Sequence, residues 1–252
     1  MKVNNKYIGV FDSGVGGLTA LLDLSKHFKG ESFLYLGDTL RCPYGTKSKE
    51  ELEKIVESDI RYLERRDVKM IIIACNTATA NSYHIKSNVP IIRIIKPTCD
   101  IVNKMGGITA ILATNYTINS KAYEKFLRVE SIGIPCSQWV NLIEAGKTDT
   151  NEAKVSVEEH LKGVKGKVSN VILGCTHFGL LEPQIRTYLG DVNIINSSTS
   201  LKEVVKETLD EVGYNNTASQ DIKITVTGDP NTLNISWFTK EKLDIKKVNI
   251  DE

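Results

Sequence analysis

Ile8-Gly9-Val10-Phe11-Asp12-Ser13-Gly14-Val15-Gly16-Gly17-Leu18 combines a short apolar run, an acid at its end, a glycine-rich turn and the start of an amphipathic stretch. Leu18, Leu21, Leu22 and Phe28 then recur on one face at helical spacing. The segment reads strand, turn, helix, the opening unit of an α/β fold. Moving outward, Phe33 to Leu36 is a second apolar run ending at Gly37-Asp38, and Ser48 with Glu51 forms a capping box that opens a long charged helix toward Arg66. Met70 to Ala74 delivers Cys75-Asn76-Thr77, and a fourth run, Ile91 to Ile95, is expected to stop at Lys96-Pro97.

From Ile108 the order begins again: Ile108 to Ala113, Val129 to Ile134, Val171 to Leu173 delivering Cys175-Thr176-His177, then Val192 to Ile195. Cys75 and Cys175 lie one hundred residues apart, each at the end of the third run of its half. This predicts an α/β protein of two lobes with mostly parallel sheets. Open α/β sheets bind ligands beyond their strand carboxyl ends, so facing lobes would bring both thiols to one crevice. The helical stretch around Leu201, Val204, Val205, Leu209 and Val212, the run Ile222 to Val226 and a short amphipathic tail are expected to return to the first lobe. The lobes are then 1–97 plus 199–252 and 98–198, with crossings near Pro97 and Ser198.

Composition narrows the function. The chain has 252 residues, 41% hydrophobic and 25% charged, with 32 Lys+Arg against 31 Asp+Glu. That is an ordinary globular balance, without the positive excess a nucleic-acid binder favours. Uncharged, mostly apolar stretches such as Gly106 to Tyr116 are far short of a membrane span, and Met1 to Tyr7 has no apolar signal region, so a cytoplasmic protein is expected. Five widely spaced cysteines (Cys42, Cys75, Cys99, Cys136, Cys175) in such a chain read as reduced thiols.

The glycine turn fits neither nucleotide fingerprint: Gly14-Val15-Gly16-Gly17 lacks the third glycine of a dinucleotide motif, and no Lys-Ser/Thr pair follows Gly14. It is either a backbone N–H cradle for a carboxylate or a tight strand-to-helix turn. Cys75 and Cys175 precede polar residues at an expected helix start, where the dipole would lower a thiol pKa, and a matched pair at strand tips makes acid/base work the sharper reading than two buried small hydrophobes. Zinc is disfavoured because CxxC and closely spaced histidines are lacking, so no metal is expected. His177 can assist Cys175, whereas His27, His84 and His160 fall on helical stretches. A Cys-His nucleophile for acyl transfer is the alternative, but it leaves Cys75 without work. Arg41-Cys42-Pro43-Tyr44-Gly45 reads as a fixed turn, and Glu144 in Leu142-Ile143-Glu144-Ala145-Gly146 as an ordinary helical Glu.

Two thiols on opposite sides of a small bound molecule can invert a carbon: one removes its proton, the other returns one. Gly9 to Leu18, Gly37-Asp38-Thr39 with Cys42-Pro43-Tyr44-Gly45, Ala74-Cys75-Asn76-Thr77-Ala78 and Leu173-Gly174-Cys175-Thr176-His177, in that order, closely resemble the glutamate racemases of the aspartate/glutamate racemase superfamily. The resemblance runs from Ile8 to Thr227-Gly228-Asp229, nearly the whole chain. It implies two flavodoxin-like lobes related by a pseudo-twofold, frequent homodimers, and interconversion of L- and D-glutamate for peptidoglycan without pyridoxal phosphate or metal. It further implies that Cys75 takes the α-proton from D-glutamate with Asp12 assisting, and that Cys175 takes it from L-glutamate with His177 and Glu144 assisting. Substrate contacts would come from Asp12, Ser13, Tyr44, Gly45, Asn76, Thr77, Thr176 and His177, with Thr114 and Thr117. The chain departs from the family's usual pattern at Phe178-Gly179, where Tyr-Pro is common, at Ser137-Gln138-Trp139 after Cys136, at Lys96 and at Asn196, where Asp is frequent. Aspartate or another small amino acid as substrate, and a role as a binding partner of another enzyme, stand as the alternatives.

Overall fold

The computed structural model describes residues 2–216, 219–236 and 243–251. The chain runs through β1 (Ile8–Asp12), α1 (Leu18–His27), β2 (Phe33–Gly37), α2 (Lys49–Arg65), β3 (Met70–Ile73), α3 (Asn76–Ala80), β4 (Ile91–Arg93) and α4 (Ile95–Met105). It continues with β5 (Thr109–Ala113), α5 (Asn115–Asn119), β6 (Ser131–Pro135), α6 (Gln138–Glu144), α7 (Asn151–Leu161), β7 (Asn170–Gly174), α8 (Glu182–Leu189) and β8 (Asn193–Asn196). Last come α9 (Lys202–Val212), β9 (Ile222–Val226) and β10 (Ile245–Lys247).

Two sheets result, ordered β10-β9-β2-β1-β3-β4 and β6-β5-β7-β8, with every strand pair parallel. The second sheet repeats the order β2-β1-β3-β4 of the first, so β1 corresponds to β5 and β3 to β7. Parallel strands covered on both faces need apolar residues throughout, and β1, β2, β3, β5 and β7 are buried from end to end. Residues 8–93 supply four strands of the first sheet, and β9 and β10 return to its edge beside β2. Of the amphipathic tail expected there, residues 237–242 lie outside the described residues.

The capping box forms as the sequence specifies: the Glu51 N–H donates to Ser48 Oγ and the Ser48 N–H to Glu51 Oε2. Lys96-Pro97 does not end a strand. β4 stops at Arg93, and Pro97 sits inside the first turn of α4, where the missing N–H costs no helical bond. α4 packs Ile95, Cys99 and Val102 into a core that also holds Leu21 and Leu24 of α1, Val205 and Leu209 of α9, and strand residues of both sheets such as Val10, Ile72, Ile111 and Ile172. One apolar core therefore couples the two sheets, while each has a second core of its own. Among the described residues, no helix is long and apolar enough to cross a membrane.

Candidate active site

Because the strands are parallel, β1, β3 and β7 deliver Asp12, Cys75 and Cys175 at their carboxyl ends. A cavity of about 60 Å³ there is lined from both halves of the chain. Of the residues expected to contact substrate or assist transfer, Ser13, Tyr44, Gly45, Cys75, Asn76, Thr77, Thr114, Glu144, Cys175, Thr176 and His177 line it. Asp12 and Thr117 stand behind that wall, each 1% exposed. Gly14, Cys42, Pro43, Val140 and Gly174 also line it and were not singled out as contacts. Val140 lies one helical turn before Glu144 on α6, a spacing that could have found it. No lysine or arginine is among the lining residues.

On the first side, Cys75 N-caps α3, its sulfur accepting the Ala78 N–H at 3.4 Å and lying 3.4 Å from Ser13 Oγ. The helix does not make this thiol acidic. Burial and the neighbouring charge of Asp12 push it up to about 12 against the Ser13 and Ala78 bonds, and a five-residue helix has too little dipole to reverse that. Asp12 is itself raised by burial, against the charge of His177 and the N–H groups of Gly14 and Gly17. Its Oδ1 accepts from Gly14 at 3.0 Å and its Oδ2 from Thr176 Oγ1, across the crevice, at 3.5 Å. The influence of Asp12 on Cys75 is thus electrostatic, and Ser13 is the direct partner.

On the second side, Cys175 is followed by a turn and a 3₁₀ segment over Phe178–Leu181, so the expected α-helix start is not there. Its partner is His177, Nδ1 at 3.7 Å from the sulfur, with Nε2 at 3.1 Å from Glu144 Oε1. Burial works against the imidazolium, yet Cys175 and Glu144 outweigh it and hold His177 up to about 10. Of the other histidines, His27 and His160 are helical as expected, whereas His84 lies in the turn after α3.

The halves are sewn together around the site. Asn76 donates to Ser197 Oγ at 3.2 Å and accepts from the Tyr123 hydroxyl at 2.7 Å. Thr77 lies 3.1 Å from Thr114 and 3.3 Å from Thr117 between hydroxyls. Thr19 Oγ1 reaches the Gly16 carbonyl at 2.8 Å and Ser198 Oγ at 3.1 Å. Gly16 is the tightest meeting point: a Cβ there would stand 2.5 Å from Thr176 Oγ1 and 2.6 Å from His177 Cε1. All five cysteines are free, and among the described residues no three His, Cys, Asp or Glu side chains group so as to hold a metal ion.

Such an arrangement can present two proton-transfer groups to one small polar molecule and bind it through N–H groups, hydroxyls and one imidazolium. Paired parallel-sheet units of matching strand order, each contributing one thiol to a shared crevice, define the class. Residues 29–203 match the Asp/Glu/hydantoin racemase family model. The glutamate racemase of Listeria monocytogenes is 41% identical over 219 residues, 81% of each chain. The glutamate racemase of Thermus thermophilus, solved with β-chloro-D-alanine, superposes with a TM-score of 0.92 at 29% identity, covering 99% of both chains. That of Francisella tularensis, solved with D-glutamate, gives 0.90 at 30% identity over 98% of both. The chain belongs to the Asp/Glu/hydantoin racemase family.

Proposed function

We propose that this protein interconverts L- and D-glutamate by proton transfer between two cysteines, with neither metal nor pyridoxal phosphate, and supplies D-glutamate for peptidoglycan in the cytoplasm, acting as a homodimer. The observation that carries this reading is the pair of thiols at corresponding strand ends, β3 and β7, lining one cavity with chemically different neighbours. The curated glutamate racemases at this identity support the substrate.

In the proposed cycle, Cys175 takes the α-proton of L-glutamate, and Cys75 gives its own proton to the opposite face of the α-carbon. The sulfurs thereby exchange protonation, and D-glutamate is converted by the same steps reversed. Burial and the Asp12 charge keep the Cys75 thiol protonated, which suits it to donate in this direction. Asp12 assists Cys75 through its charge, and His177 with Glu144 relays the proton at Cys175. Carboxylates of the substrate are held by Ser13, Asn76, Thr77 and Thr176 and by backbone N–H groups, with Tyr44, Gly45 and Thr114 as walls. Negative charge that develops on the α-carbon and its carboxylate is stabilised by these fixed dipoles.

The test is incubation with D-glutamate in D₂O without added cofactor, following loss of the α-proton by NMR and configuration by chiral chromatography. Solvent exchange together with L-glutamate formation is the expected result. Neither exchange nor inversion overturns the substrate assignment, and the same assay on aspartate then identifies the competing one.

A further inference from the structure

The turn from Asp38 to Thr46 forms one wall of the cavity through Cys42, Pro43, Tyr44 and Gly45, yet the Tyr44 hydroxyl is committed elsewhere. It lies 2.6 Å from Asp38 Oδ2 and 2.7 Å from Asp59 Oδ2. Asp59 is on α2, and both carboxyl groups are 0% exposed. Arg41 bridges the same two acids, Nε to Asp38 Oδ2 at 2.7 Å and Nη2 to Asp59 Oδ1 at 2.5 Å, while its Nη1 donates to Ser58 Oγ at 2.8 Å. Thr227 closes the set by donating to Asp38 Oδ1 at 2.8 Å.

Proton accounting decides the state of this cluster. A tyrosine hydroxyl has one proton and cannot donate to two carboxylates at once. Both oxygens of Asp38 are already occupied by the donors Thr227 and Arg41, and Asp59 Oδ1 is occupied by Arg41. The second proton therefore resides on Asp59 Oδ2 and points at the Tyr44 oxygen, which in turn donates to Asp38. The charges then cancel: one carboxylate, one guanidinium and one neutral acid replace a buried net negative charge. Burial and the nearby charge of Asp38, outweighing Arg41, push Asp59 the same way, well above the usual carboxylate range.

We propose that Asp59 is a positioning residue for substrate binding: as a neutral carboxylic acid it pins Tyr44 and Arg41 to α2 and so holds the Tyr44-Gly45 wall of the crevice. Resting on the racemase reading, this makes a helix outside the crevice the support of one of its faces.

The experiment compares Asp59→Asn, Asp59→Leu and Tyr44→Phe in racemisation kinetics, with circular dichroism and thermal unfolding on each. Asparagine can donate to the Tyr44 oxygen and accept from Arg41 as the neutral acid does, so Asp59→Asn keeps KM within about twofold of the parent. Asp59→Leu and Tyr44→Phe each raise KM about tenfold while kcat changes less, as expected for a lost buried bond that orients a binding wall. Equal damage in Asp59→Asn and Asp59→Leu overturns the neutral acid, and an unchanged KM in folded Asp59→Leu overturns the positioning role. An infrared difference spectrum, wild type minus Asp59→Asn at neutral pH, is read alongside. A protonated-carboxyl band supports the assignment and its absence overturns it, even if wild-type protein leaves glutamate untouched, so the two readings fail separately.

Discussion

The Cys75 side and the Cys175 side of the crevice occupy the same position in the two sheets but are built to opposite purposes. Cys75 is enclosed and has a carboxyl behind it, and these favour a neutral thiol over the opposing bonds to Ser13 and Ala78. Cys175 faces an imidazolium whose far nitrogen reaches Glu144, a side chain 44% exposed and in touch with solvent. In the proposed cycle one side stores a proton and the other has an outlet for it. Strand topology can be repeated while proton chemistry is set by the side chains each thiol meets: Asp12 and Ser13 from the end of β1 here, His177 and Glu144 there.

The comparison fails most visibly if one thiol is dispensable. Cys75→Ser and Cys175→Ser are each expected to cut turnover by about 10²–10⁴-fold, the range for removing a proton-transfer group. Chiral chromatography of glutamate incubations measures this, and near-parent activity in either variant would show that its side does no chemistry. A smaller loss is expected at the contact between the sides. Gly16→Ala puts a methyl against Thr176 and His177, so activity should fall about tenfold or more with stability lowered by ~1–3 kcal/mol. Unchanged kinetics and thermal unfolding would mean the halves do not meet there as tightly as described. The subtlest effect is a titration: the His177 imidazole should stay protonated until pH approaches about 10, and Glu144→Gln should bring that midpoint down. Because the folded value lies above the unfolded reference near 6.5, its stabilising contribution is complete below about pH 6.5 and disappears as pH rises through 10. Nitrogen-15 NMR of the labelled ring follows it, and a midpoint indifferent to Glu144 would sever the relay.

Much of this was legible in the chain itself. Short apolar runs ending in Asp12, Cys75 and Cys175 mark strand tips, and their repetition after one hundred residues anticipates two sheets of matching strand order. Glu144 was legible only through family resemblance, because a helical glutamate before Ala-Gly looks like any solvated one. Pro97 misled because proline breaks a helix interior yet is welcome in its first turn, and local sequence does not say which applies. The acidity of Cys75 was misjudged for a related reason: a helix start is visible in sequence, but the burial that overrides it is tertiary. Asp59 was invisible, since one acid among many on a charged helix acquires its role only when α2 packs on the Tyr44 turn. Two departures from the family's pattern turn out to be neighbours: a Cβ on Gly179 would stand 2.5 Å from Asn196 Nδ2, so they are best read as one local change.

The absence of lysine and arginine from the crevice wall bears on how a ligand arrives. Long-range attraction comes from net charge, whereas N–H groups and hydroxyls act only over a few ångströms. With a net charge of +1 on the whole chain, and with the charged lining groups His177 and Glu144 paired to each other, an anionic amino acid is not drawn in from a distance. Encounter should therefore proceed by plain diffusion, at a rate that added salt barely alters, leaving selection among amino acids to the fit made after arrival.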